Sequence, residues 1–258
     1  MNRIQLVVRD DNPPAQAVAA RFSGLLADRG VAIEADEVDA VVAIGGDGTV
    51  LEAASIALAQ AVPVCGINMG RVGYLAEFAE VEIVDLADAI GGGTFATRHH
   101  STVSVSTPMF SASAINDVVL EKVISQRIIE VAVSVNERPL ATYRTDGMIV
   151  ATPLGSTAYS LSAGGPIVDP GLDALIMTPV APHSLLTRAI VLAPDAVVTL
   201  SIVGDRPARI NVDGRELCVV EPEEPITIRR GATEVEFLTL ERHPFPHAVR
   251  EQFGLDHA

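Results

Sequence analysis

Lysine is all but missing from this sequence: Lys122 is the only one in 258 residues. A phosphate loop of the G-x-x-x-x-G-K-[ST] type is therefore excluded on residue type, and any phosphate must be held by backbone amides, hydroxyls or arginine. Positive charge as a whole is scarce, with 18 Lys and Arg against 33 Asp and Glu and a net charge of −15. Such a chain offers no broad attraction to nucleic acid or to an anionic membrane, so an anionic partner has to be bound locally. Cysteine is rare too, and Cys65 and Cys218 lie far apart in no metal-ligand spacing. They read as small buried thiols in a reducing compartment. Long apolar runs are also lacking. The opening MNRIQLVVRDD has too short an apolar part for a signal peptide, and no stretch reaches the ~18 apolar residues of a membrane-spanning helix. A cytoplasmic protein without nucleic-acid or membrane partners is the expectation.

Apolar content, by contrast, is ample at 48%, enough for one large core or two modest ones. Two domains suit the change in texture near residue 97. Before it, short apolar runs (IQLVV, DAVVAI, VPVCGI) alternate with helix-like segments (PAQAVAARFSGLLADRG, TVLEAASIALAQ, IVDLADAI). That alternation predicts a parallel α/β layer over residues 1–97. After it, IIEVAVSVNERPLATYR, AIVLAPDAVVTLSIVG, RINVDGRELCVV and EPITIRRGATEVEFLTL are rich in β-branched residues and punctuated by Asn-Glu, Asp-Gly and Arg-Gly turns. They predict a β-rich domain over 98–234, joined to the first by the glycine-containing stretch 91–100.

Three constellations carry chemistry. The first is Gly45-Gly46-Asp47-Gly48-Thr49, between the predicted strand DAVVAI and a predicted helix. A crevice outside the carboxyl end of a strand, facing free amides at a helix start, is a phosphate site. Gly45, Gly46, Gly48 and Thr49 are accordingly the candidate phosphate-donor residues. A plain turn with Asp47 as helix cap is the competing reading. Beside a phosphoryl group the Asp47 carboxylate could take a hydroxyl proton or hold a metal.

The second constellation is TDGMIVATPLGSTAYSLSAGGPIVDP, residues 145–170, read as strand, turn and short helix. Its hydroxyls, on Ser156, Thr157, Tyr159, Ser160 and Ser162, could satisfy a dinucleotide without lysine. The third is Asn116-Asp117, an amide beside a carboxylate, suited to a ribose diol and equally to a turn. Asp146, in an Asp-Gly pair, has the same ambiguity. His183 reads as a helix-start or packed residue, since no second ligand stands at metal spacing.

Taken together, GGDGT, GINMGRVGYLAEF, NDVVLEK, YRTDGMIVATPLGSTAYSLSAGGPIVDP, MTPVAPHSLLTRAIVL and INVDGRE resemble, block by block and in order, the NAD kinase family. The resemblance implies phosphorylation of the 2′-hydroxyl of the adenosine ribose of NAD to make NADP, with ATP or polyphosphate as donor. It also implies a divalent metal ion such as Mg, a homo-oligomer (dimer or tetramer), and a C-terminal tail, about 235–258, that returns to the first domain. Asp47 matches the proton acceptor. Asp47, Gly48, Asn116, Asp117, Arg127, Arg144, Asp146, Thr157, Ala158, Tyr159, Ser160, Leu161, Ser162 and Ala181 match the NAD site. Two features depart from the pattern: Arg215 stands where many members have Gln, and only 44 residues precede Gly45, as in members without a regulatory extension. A lipid kinase of the diacylglycerol kinase type would share GGDGT but not the long block. A non-catalytic NAD-binding regulator would keep Asn116 and Asp117 without needing Asp47.

Overall fold

The computed structural model describes residues 1–69, 75, 78–241 and 245–255. The chain divides into two compact units, Met1–His100 with Val235–Ala258, and Ser101–Glu234. The first opens with β1 (Arg3–Val8), α1 (Pro13–Ala27), β2 (Ala32–Ile33), β3 (Ala40–Ile44), α2 (Asp47–Gln60), β4 (Val64–Asn68), β5 (Phe78–Ala79) and α3 (Ile83–Gly92). All strand pairs here are parallel, in the order β2-β1-β3-β4, with Ile4 opposite Ala40 and Val42 opposite Cys65.

β3 and β4 are buried at every position, as expected of central strands in a parallel sheet covered on both faces. Asn12 caps α1 through its side-chain oxygen, which accepts from the Ala15 amide at 3.2 Å, and Pro13 fits the first turn. The helix then buries Val18, Phe22 and Leu26 against Ile4, Val42, Ile67 and the Leu86 and Ile90 of α3. α2 packs on β3 through Val50 and the small side chains of Ala53, Ala54 and Ala57, which let the two backbones approach closely.

The second unit is β-rich, as the sequence predicts. Its strands are β6 (Ala96–Ser106, starting in the first unit), β7 (Ser111–Ala114), β8 (Asp117–Lys122), β9 (Ile129–Val135), β10 (Arg138–Thr145) and β11 (Gly147–Ala151). The one-turn α4 (Tyr159–Ser162) is followed by β12 (Leu175–Val180), β13 (Ile190–Leu192), β14 (Val198–Val203), β15 (Ala208–Val212), β16 (Arg215–Val220) and β17 (Ile226–Thr239). A six-stranded antiparallel sheet runs β13-β12-β11-β8-β15-β16. One face places Val118, Leu120, Met148, Met177 and Ile210 in a core shared with Val131, Val133, Tyr143 and Leu200 of β9, β10 and β14. The other face, Val119, Ile149, Ala151 and Ile176, is covered by Val168. Burial on both faces accounts for the unbroken apolar runs of β8, β11 and β12, and it fixes the segment 152–168 against the sheet.

From Val235 onward β17 belongs to the first unit, where Phe237 lies opposite Val64 of β4. A last helix, α5 (Phe245–Gln252), follows.

Candidate active site

In the first unit the glycine turn joins β3 to α2. The Gly45 amide donates to Ile67 O at 2.9 Å, and Gly46 caps α2, its carbonyl accepting from the amides of Thr49 and Val50 at 2.9 and 3.1 Å. The three glycines serve different ends. A Cβ on Gly45 would lie 2.5 Å from Thr49 Oγ1, so packing of the buried Thr49 requires glycine there. A Cβ on Gly46 or Gly48 would meet nothing within 4 Å, and neither residue has a left-handed φ. Among the described residues nothing in the packing or backbone requires glycine at 46 and 48, and a glycine leaves its amide open to close approach. Asp47 is the first helical residue, and the cap is Gly46, which makes no side-chain capping bond. The helix-cap reading of Asp47 thus fails. Its Oδ1 accepts from the Leu75 amide at 3.3 Å. Of the block GINMGRVGYLAEF, residues 70–74, 76 and 77 lie outside the described residues.

In the second unit Asn116 and Asp117 form the entry to β8, and two elements hold their backbone. On one side Thr152 donates from its amide to Asn116 O at 2.9 Å and from its hydroxyl to Ile115 O at 2.7 Å. Gly155 presses in so closely that a Cβ would sit 2.0 Å from Asn116 O. On the other side stands Asp213 at the tip of the β15–β16 hairpin. With φ of 49° at Asp213 and 76° at Gly214, this two-residue turn has the positive φ pair that a tight hairpin needs. The Asp117 carboxyl is 4% exposed and pushed up to about 7, by burial first and by the Asp213 charge second. Asn116 Oδ1 is buried and finds no donor among the described residues, an orphan acceptor of a kind that folded proteins seldom keep.

At the other end of the β8–β11 pair lies Asp146. Its Oδ1 pairs with Lys122 Nζ at 2.6 Å, and its carbonyl accepts from the Lys122 amide at 3.0 Å. The Asp146 amide in turn donates to Val180 O at 3.0 Å, just before Ala181, an exposed residue held at a φ of 44°. Left-handed alanine is uncommon, and such backbone outliers cluster at ligand clamps. Tyr159 is 40% exposed, and its phenol is pushed up by burial and then by the carboxylates of Glu121, Asp146 and Asp117. Tyr159 is therefore within electrostatic reach of both Asp117 and Asp146, which stand at opposite ends of the β8–β11 pair.

The remaining residues singled out from sequence divide. Ser160 is fully buried and shares a 2.9 Å hydrogen bond with Thr178, and Ser156 is tied to the backbone of Val168, so both hydroxyls hold the loop. Thr157 donates to Leu154 O at 3.3 Å; Ala158 and Leu161 are half-buried, and Ser162 is exposed. Arg144 is exposed and faces Glu130 across the β9–β10 pair at 3.5 Å, and Arg127 is exposed in the turn before β9. His183 is a loop residue whose amide donates to Arg144 O at 2.7 Å. Arg215 is exposed at the start of β16; burial pushes the Asp213 carboxyl up on balance, opposed by the amides of Ile115, Asn116 and Asp117 and, least, by the Arg215 charge. Sequence reasoning missed Asp213, Thr152 and Lys122. For Asp213 the available signal was the Asp-Gly turn, for Lys122 its being the only lysine.

The chain matches the model of the ATP-NAD kinase N-terminal domain over residues 19–95 and that of the ATP-NAD kinase C-terminal domain over 115–240. It is 37% identical to the NAD kinase of Cutibacterium acnes, over 86% of this chain and 72% of that one. The NAD kinase of Heliobacterium modesticaldum is 32% identical, with 98% of both chains covered. Among solved structures, an NAD kinase from Archaeoglobus fulgidus in complex with ATP superposes with a TM-score of 0.79 at 28% identity, covering 98% of this chain and 97% of that one. Yeast NADH kinase complexed with NADH superposes with a TM-score of 0.88 at 20% identity, covering 100% and 89%, a likeness of fold. With both domain models matched in order along the chain, the protein belongs to the NAD kinase family.

Proposed function

We propose that this protein transfers a phosphoryl group from ATP or polyphosphate to the 2′-hydroxyl of the adenosine ribose of NAD, making NADP. The observation that carries the reading is the clamped Asn116–Asp117 corner: a buried amide oxygen with no partner among the described residues beside a buried carboxyl, with Tyr159 in electrostatic reach of Asp117 and of Asp146. Asn116 and Asp117 grip a ribose diol, while Asp146, Tyr159 and the backbone of Thr157, Ala158 and Ala181 orient the base. The exposed guanidinium groups of Arg127 and Arg144 supply local positive charge for the pyrophosphate of NAD on a chain whose net charge is −15.

Asp47 is the proton acceptor. It takes the proton of the 2′-hydroxyl as that oxygen forms its bond to the terminal phosphorus of the donor. The bond from that phosphorus to its bridging oxygen breaks, and the shortened donor leaves with the electron pair. The open amides around Gly46 and Gly48 at the positive end of α2 receive donor phosphate. Because they contact phosphate oxygens alone, they serve ATP and polyphosphate alike.

A magnesium ion fits this donor set as one carried chiefly by substrate phosphates with Asp47 as its protein carboxylate, since no three His, Cys, Asp or Glu side chains cluster to hold one among the described residues. When bound it would neutralise phosphate charge. We further propose a cytoplasmic homo-oligomer, dimer or tetramer; among the described residues no helix is long and apolar enough to cross a membrane. The test is direct: folded protein with NAD, magnesium and either ATP or polyphosphate yields NADP, read by an NADP-specific dehydrogenase. No NADP with either donor would refute the proposal.

A further inference from the structure

We propose that Asp213 is a positioning residue for NAD, setting the Asn116–Asp117 corner from the tip of the β15–β16 hairpin. The inference rests on the reading that Asn116 and Asp117 hold NAD. Asp213 Oδ2 accepts from the Ile115 amide at 2.8 Å, and Oδ1 accepts from the amides of Asn116 and Asp117 at 2.7 and 3.2 Å. The Asp213 amide returns a bond to Asp117 O at 3.0 Å. Three successive N–H groups converging on one carboxylate form an anion nest, which a neutral group fills less well. With Thr152 and Gly155 on the opposite side, the backbone of Asn116 is held from both sides, which fixes where its side chain starts.

Asparagine at 213 would retain the left-handed turn. Its Oδ1 could still serve Asn116 and Asp117, but its amide hydrogens would meet the Ile115 N–H donor to donor. The substitution also removes a charge. The charged group that acts on Asp117 from the hairpin is Asp213, on which Arg215 acts in turn, and Tyr159 of α4 feels the charge of Asp117 together with those of Glu121 and Asp146 from the other end of β8. Burial pushes the Asp117 carboxyl upward first and the Asp213 charge second, so loss of that charge lets Asp117 ionise at lower pH.

Steady-state NADP formation is measured for the wild type, Asp117→Asn and Asp213→Asn across the neutral range, with thermal melting as a check of folding. Asp213→Asn should raise KM for NAD about tenfold, with KM for ATP and kcat little changed. The acid limb of kcat/KM for NAD should move to lower pH, which a merely structural role would not cause. An unchanged KM for NAD, equal rises in both KM values, or an acid limb that stays in place overturns the positioning role. If Asp117→Asn also leaves KM for NAD unchanged, the NAD-site reading falls with it; if Asp117→Asn raises KM and Asp213→Asn does not, only the positioning role falls. Should Asp213→Asn not fold, Asp213→Glu carries the test. It keeps the charge but cannot place both oxygens on the same amides, so KM for NAD should rise while the acid limb stays; an unchanged KM overturns the proposal.

Discussion

Asp47 occupies the first position of α2, with Gly46 and not Asp47 as the cap, so its carboxylate can change without unmaking the helix start. Asp47→Asn is nearly isosteric, and the charge it removes at the helix N-terminus is worth only about 0.3–1 kcal/mol. Folding and NAD affinity should persist while kcat falls by ~10²–10⁴-fold, the usual worth of general-base assistance. Turnover and calorimetric NAD binding on one preparation check this, and wild-type kcat in a folded variant would end the proton-acceptor role. The residue scale is also where sequence reading reached its limit. The place of Asp47 in the fold was legible because strand, glycine turn and helix are contiguous. Asp213 was not, because it meets Ile115–Asp117 across 96 to 98 residues, and nothing local in INVDGRE records which amides its carboxylate will find. Ser160 illustrates the reverse: a hydroxyl is visible in sequence, the direction it faces is not, and here it turns inward to Thr178.

At the scale of elements, glycines of one type do opposite work. Gly48 lies in the first turn of α2 with open space where a Cβ would be. Alanine is the better helix former by ~1 kcal/mol, so Gly48→Ala should melt at or above the wild-type temperature. Its added methyl projects into the space assigned to phosphate, and turnover should drop. Gly155 sits against the Asn116 carbonyl, and a Cβ there would displace backbone. Gly155→Ala should lose roughly 1–3 kcal/mol of stability, the usual penalty of overpacking. Denaturant titration beside kinetic assays on both variants checks the contrast; a Gly48→Ala enzyme with full activity would remove the ligand from that turn. The strands of the α/β layer were readable because each is a short apolar run ahead of a helix. The order β13-β12-β11-β8-β15-β16 was not, since strand neighbours far apart in sequence share no local signal.

Over the whole molecule, a net charge of −15 disfavours broad anion binding, and the proposed function relies on local devices instead: the amides at the start of α2 and the exposed Arg127 and Arg144. The same composition leaves Lys122 as the single lysine, 18% exposed and ion-paired to Asp146. That pairing turns the protein into its own chemical probe. An amine-acylating reagent at neutral pH has two targets, the terminal amine and Lys122, and peptide mass spectrometry separates them. Saturating NAD, lying over Asp146, should slow acylation of Lys122 while leaving the terminal amine at its former rate, with no mutation, label or coupled assay. Equal rates at Lys122 with and without NAD would mean that the dinucleotide does not cover Asp146.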